Sequence, residues 1–170
     1  DNKIYWDDAA IKKTFDMKPW TKPKVRGVRP LPENAFNTPE EYSRFVLHHE
    51  MAHVDMPYEA MKKQFAKDNG GATLTRPDYE NEINNMALER HYKGYGLKQT
   101  SATKSWFYNA VTTPQKRILN DPSLPNEIKY NVARSWYNAS LDLEGTPSGK
   151  GVQSLAARAL TYGADSYNLE

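Results

Sequence analysis

The chain has 170 residues, 38% apolar and 26% charged, with 23 Lys and Arg against 21 Asp and Glu. These values suit one globular domain, or one with a small appendage, and a net charge of +2 makes no electrostatic case for nucleic acid or an anionic membrane. The absence of cysteine excludes disulfides, a thiolate nucleophile and a cysteine-ligated zinc, and no apolar run reaches the ~18 residues that span a bilayer.

The chain opens at Asp1 rather than Met, as expected for a domain of a longer polypeptide or a processed product. Residues 7–16 form a short amphipathic segment with Ala10, Ile11 and Phe15 apolar and aspartates at its start. Residues 17–36 carry Pro19, Pro23, Pro30 and Pro32, which favour extended backbone, so 1–36 is expected to be an N-terminal arm. Within it, residues 24–29 (Lys-Val-Arg-Gly-Val-Arg) could form one short edge strand, the alternative being a surface arm that wraps the domain.

Helix signals begin at residue 37. Thr38 can cap, Pro39 occupies the first helical position, and Glu40 and Glu41 favour the positive end of the dipole. This helix is expected to run to about Asp55, and it carries His49-Glu50-Met51-Ala52-His53, an H-E-x-x-H motif. Three of the four histidines of the chain fall within residues 48–53. His49 and His53, four apart, stand on one helical face, where two neutral imidazoles can bind one Zn²⁺. Glu50, one position round, reaches the water on an open coordination site. Tyr42, Val46, His49 and His53 follow i, i+4, i+7, i+11, so the histidines lie on the apolar stripe, where unpaired imidazoles are costly and a metal satisfies them. His48, on another side of the helix, is expected to support the site or face solvent rather than ligate. In zinc peptidases generally, a strand beside such a helix can hold extended substrate by backbone pairing, the role open to residues 24–29.

After Pro57 a helix is expected over 58–67, closed by Gly70-Gly71, with the Lys62-Lys63 pair on its solvated face and a loop over 69–77. Pro77-Asp78 starts a second long helix, 79 to about 93, stopped by Gly94 and Gly96. Further helices are expected over 104–111, 114–120, 126–141 and 152–162, with a loop at 145–151; the fold class is mainly α. The organisation expected is the arm 1–36, a metal-binding core 37–98 and a helical remainder 99–170 of the same domain.

A zinc site needs a third protein ligand. The arrangement H-E-x-x-H-x-x-G-x-x-H fails because Met56 and Glu59 occupy the Gly and His places. The second long helix offers Glu80 and Glu82. Tyr79, Ile83, Met86 and Ala87 mark its buried stripe; Glu80 flanks that stripe beside Ala87, a small residue that permits close helix approach. Asn84, one turn on, is placed to hydrogen-bond a ligand histidine from behind. Glu80 is therefore preferred, and Glu82, in an Asn81-Glu82 pair like the N-E of thermolysin-like enzymes, stays as the alternative. Tyr92, Tyr95 and His91, expected just past this helix, are candidate oxyanion donors.

Together, residues 38–53 and 79–88 resemble the zincin peptidase domains inside large virion proteins of tailed bacteriophages. The second segment is also similar to the E-x-x-A-N-x-F-A helix of ImmA/IrrE-type metallopeptidases, with Ile83 and Met86 in place of Ala and Phe. The likeness covers roughly residues 37–92, about a third of the chain. It implies a gluzincin-like site, with His49, His53 and Glu80 on Zn²⁺ and Glu50 as general base, acting on a protein or peptide substrate. It also implies a place in a virion or delivery into the host cell, alongside other parts of a larger virion polypeptide. Two other roles fit the same pattern: a structural zincin-fold module of a virion with little catalysis, and a regulatory peptidase that cleaves a repressor.

Overall fold

A computed structural model describes residues 3–98, 100–103, 106, 113, 116–130 and 133–134. The protein is mainly α, with no strand among the described residues. The chain divides into two compact units, Asp1–Met61 with Thr75–Trp106, and Lys62–Leu74 with Phe107–Glu170. Among the described residues four helices are complete: α1 (Asp8–Lys13), α2 (Pro39–Asp55), α3 (Tyr58–Asp68) and α4 (Arg76–Tyr95). Two 3₁₀ turns, Phe15–Met17 and Pro19–Thr21, follow α1.

In the first unit, local chemistry sets the helix ends. Asp7 caps α1 by accepting from the amide of Ala10. At α2, Thr38 Oγ1 accepts from Glu41 N, and Glu41 Oε2 accepts from Asn37 N, a capping-box exchange displaced by one residue. Helix α4 starts earlier than Pro77-Asp78 suggests, because Thr75 caps it through the amide of Asp78. It also runs past Gly94 to Tyr95. Gly96, at φ 61°, makes the left-handed stop, with Leu97 N bonded back to Tyr92 O.

Helices α2 and α4 pack antiparallel: His53 meets Glu80, His49 meets Asn84, and the Arg44 guanidinium lies over the Tyr95 ring. Ala52 and Ala87 are fully buried, and their small side chains permit this approach. The N-terminal arm is anchored on α2. Trp6 Nε1 donates to Ser43 O, Ser43 Oγ donates to Asp8 Oδ1, and Trp20 packs among Phe15, Phe36 and Tyr42.

The strand open to residues 24–29 does not form. Val28 N bonds to Val25 O across a turn, with Gly27 at φ 91°, so two of the residues that would have continued a strand instead reverse it. The arm as a whole is a short helix, 3₁₀ turns and wrapped loop.

In the second unit, Ala72 and Ile118 form a buried core against Phe65, Leu124 and Ile128. Of the helices expected beyond 100, residues 106, 116–119, 126–130 and 133–134 are helical; the loop at 145–151 and the helix at 152–162 lie outside the described residues.

Candidate metal centre

His49 and His53 of α2 and Glu80 of α4 converge as a group that could hold a metal ion. The two Nε2 atoms are 3.1 Å apart, and Glu80 Oε2 lies 3.4 Å from that of His53 and 4.0 Å from that of His49. Glu82, the alternative acid, is exposed, accepts from Asn85 and stands outside this group.

Each histidine has a hydrogen-bond partner behind it, at Nδ1. Asn84 presents Oδ1, an acceptor, to His49 Nδ1 at 3.1 Å, so His49 Nδ1 carries the proton. Tyr79 spends its one hydroxyl proton on Met56 O at 3.0 Å and lies 2.8 Å from His53 Nδ1, so His53 Nδ1 also donates. With both Nδ1 atoms donating, the two Nε2 lone pairs face a carboxylate oxygen. Three converging acceptors without a proton between them suit a cation. Burial, and then the neighbouring His53, lowers the pKa of His49 below the ordinary imidazole value, which keeps it in the neutral, ligating form.

Glu80 is buried and held. Arg76 donates from Nε to its Oε1 at 2.9 Å and pairs with the same oxygen through Nη2 at 2.8 Å, leaving Oε2 for the histidines. The guanidinium lies over the rings of Tyr58 and Tyr79, at 5.2 and 5.1 Å. Neither Arg76 nor the hydroxyl of Tyr79 figures in the sequence reading. The i, i+4 spacing of Arg76 and Glu80 is a visible signal, whereas Tyr79 reads simply as core.

No protein-family model, curated protein or solved structure matches the chain.

Glu50 is exposed, beside the group and at the meeting of two clefts. One, of about 480 Å³, runs from His49, Glu50 and Glu80 to a wall made by the proline-rich arm. The other, of about 450 Å³, lies on the His53 side, against Tyr5, Val54 and Pro57.

The three oxyanion candidates are placed elsewhere. His91, Tyr92 and Tyr95 lie on α4 itself rather than past it, and none lines either cleft. His91 is fully buried against Phe36, Tyr92 and Tyr95, with neither ring nitrogen hydrogen-bonded. His48 is half-buried, with Nδ1 unbonded, and takes no part in the group.

Proposed function

We propose that this chain is a zinc-dependent endopeptidase domain, with His49, His53 and Glu80 as the zinc ligands and Glu50 as the general base. The observation that carries the reading is the convergence of the two Nε2 atoms and one Glu80 oxygen, with Asn84 and Tyr79 holding the imidazoles at Nδ1. Ligands of a tetrahedral zinc stand about 3.3 Å from one another, close to the separations within the group. The donor set, two imidazoles and one carboxylate, leaves one position for water, as a catalytic zinc requires.

Bound zinc would acidify its water and polarise a peptide carbonyl. Glu50, exposed at the mouth of both clefts, accepts the proton of the attacking water and returns it to the leaving amine. Asn84 and Tyr79 hold the imidazoles at their Nδ1 protons, and Arg76 keeps Glu80 turned by one oxygen. The likeness of residues 38–53 and 79–88 to phage virion zincins supports a place within a virion protein.

The test is metal analysis by mass spectrometry followed by peptide digestion. Wild type and Glu50→Gln should each retain about one zinc per chain, Glu80→Ala should lose it, and wild type alone should cut. Full zinc in Glu80→Ala, or equal cutting by Glu50→Gln, would overturn the assignment.

A further inference from the structure

The wall of the larger cleft faces the candidate metal group with side chains, while the N–H groups of residues 28–32 are already committed. Between Val28 and Pro32 every N–H donates within the chain: Val28 to Val25 O at 3.2 Å, Arg29 to Asn81 Oδ1 at 3.0 Å and Leu31 to Trp20 O at 3.0 Å. Pro30 and Pro32 have none to give. The carbonyl of Arg29 accepts from Trp106 Nε1, and that of Pro32 from Trp20 Nε1. Residues 25–28 are a turn, which cannot lie along an extended peptide. Strand addition, the usual way to hold a peptide by its main chain, finds no strand edge among the described residues.

What the wall offers instead is apolar surface and positive charge. Trp20, Val25, Val28, Leu31 and Phe45 line the cleft. Trp20, Leu31 and Phe45 are buried, so the lining is preformed. Lys22 and Lys24 stand exposed at the rim, and the acids of the lining are Glu50 and Glu80, both at the metal group. At about 480 Å³ the space takes one large side chain with part of its neighbours.

Resting on the peptidase reading, we propose that this cleft selects peptide segments by side chain: a bulky apolar residue beside the scissile bond, with acidic residues flanking it toward Lys22 and Lys24. The substrate's backbone contributes little to holding it.

The experiment digests a peptide library, made by cutting a bacterial lysate with trypsin, with zinc-loaded wild type and with Glu50→Gln as blank. Cut sites are mapped by mass spectrometry. The best-cut peptide is then resynthesised with single N-methylated amides away from the scissile bond, and with Ala at the apolar position. Binding of each peptide to Glu50→Gln is measured by fluorescence anisotropy. Expected are a large aliphatic or aromatic residue beside the bond, Asp or Glu nearby, and at least a ~10-fold loss of kcat/KM and of binding on the Ala change. N-methylation should change either by less than about threefold, where loss of a main-chain hydrogen bond would cost about tenfold. Lys22→Glu with Lys24→Glu, both at exposed positions, should weaken the acidic peptide and favour a basic one. Cutting with no side-chain preference, or N-methylation as harmful as Ala, would overturn side-chain selection and leave the peptidase reading standing. No cutting or binding of any peptide by a zinc-loaded chain would overturn both.

Discussion

Arg76 grips Glu80 by a single oxygen. Nε donates to Oε1 and Nη2 pairs with the same atom, so the carboxylate is turned with Oε2 toward His49 and His53. A cation in the first turn of a helix opposes the helix dipole, so Arg76 does not serve α4 itself. Arg76→Gln should lower zinc affinity about 10–100-fold, the range for residues that orient a ligand from behind. Freed to use both oxygens, Glu80 should also shift the zinc-to-manganese affinity ratio toward manganese, which favours more oxygen ligands. Competition with a chromophoric chelator measures both. The melting temperature of the metal-free variant should stay within about 2 °C, because the Arg76 side chain is 55% exposed.

Tyr79 links His53 to the end of α2. Its hydroxyl accepts from His53 Nδ1 and donates to Met56 O. Tyr79→Phe removes both bonds and leaves two polar groups short of a partner, at a cost of about 1–3 kcal/mol. Zinc affinity should fall by about tenfold or more as His53 loses its fixed tautomer. Urea unfolding and chelator competition separate the two effects.

His91 makes the fold sensitive to acid. Burial lowers its pKa below the ordinary value of 6.5; Glu41 opposes this and His48 adds to it. With the folded pKa depressed, the unfolded chain takes the proton first as pH falls. Stability is therefore lost as pH drops below about 6.5, at up to ~1.4 kcal/mol per pH unit for one group. His48 and His49 shift in the same direction, so metal-free wild type should lose stability still more steeply. His91→Phe should make the slope shallower, as shown by melting temperatures from pH 5 to 8.

Gly27 supports the cleft wall. At φ 91° a side chain is strained, and a Cβ would meet Pro77 Cγ at 3.1 Å. Gly27→Ala should cost about 1–2 kcal/mol, visible in a urea melt.

The two helices that carry the site are legible in sequence because their signals are local. Thr38, Pro39 and the two acids mark the start of α2, and H-E-x-x-H needs nothing beyond helical spacing. The choice of Glu80 as the acid to weigh first follows from which face of α4 is buried, and the structure places Glu80, not Glu82, beside the histidines. What escapes is whatever depends on long-range partners. Residues 24–29 carry β-branched Val25 and Val28, but Gly27 turns the chain and Asn81, 52 positions from Arg29, takes the amide that a strand would have used. Gly94 reads as a stop, yet tertiary packing of Tyr92 carries α4 through it to Gly96. Tyr79 looks like core in any one-dimensional pattern, since only its hydroxyl distinguishes its job.

The interleaving of the two units has a consequence for cutting and regrafting the chain. Residues 62–74 are a guest: they pack with the second unit, where Phe65 and Ala72 meet Ile118, Leu124 and Ile128, while the host resumes at Thr75. His49 and His53 precede the guest and Glu80 follows it. A single cleavage anywhere within it thus yields two fragments, neither holding the full donor set. Mixing them should restore metal uptake only when they reassociate, which turns the ion into a reporter of fragment complementation.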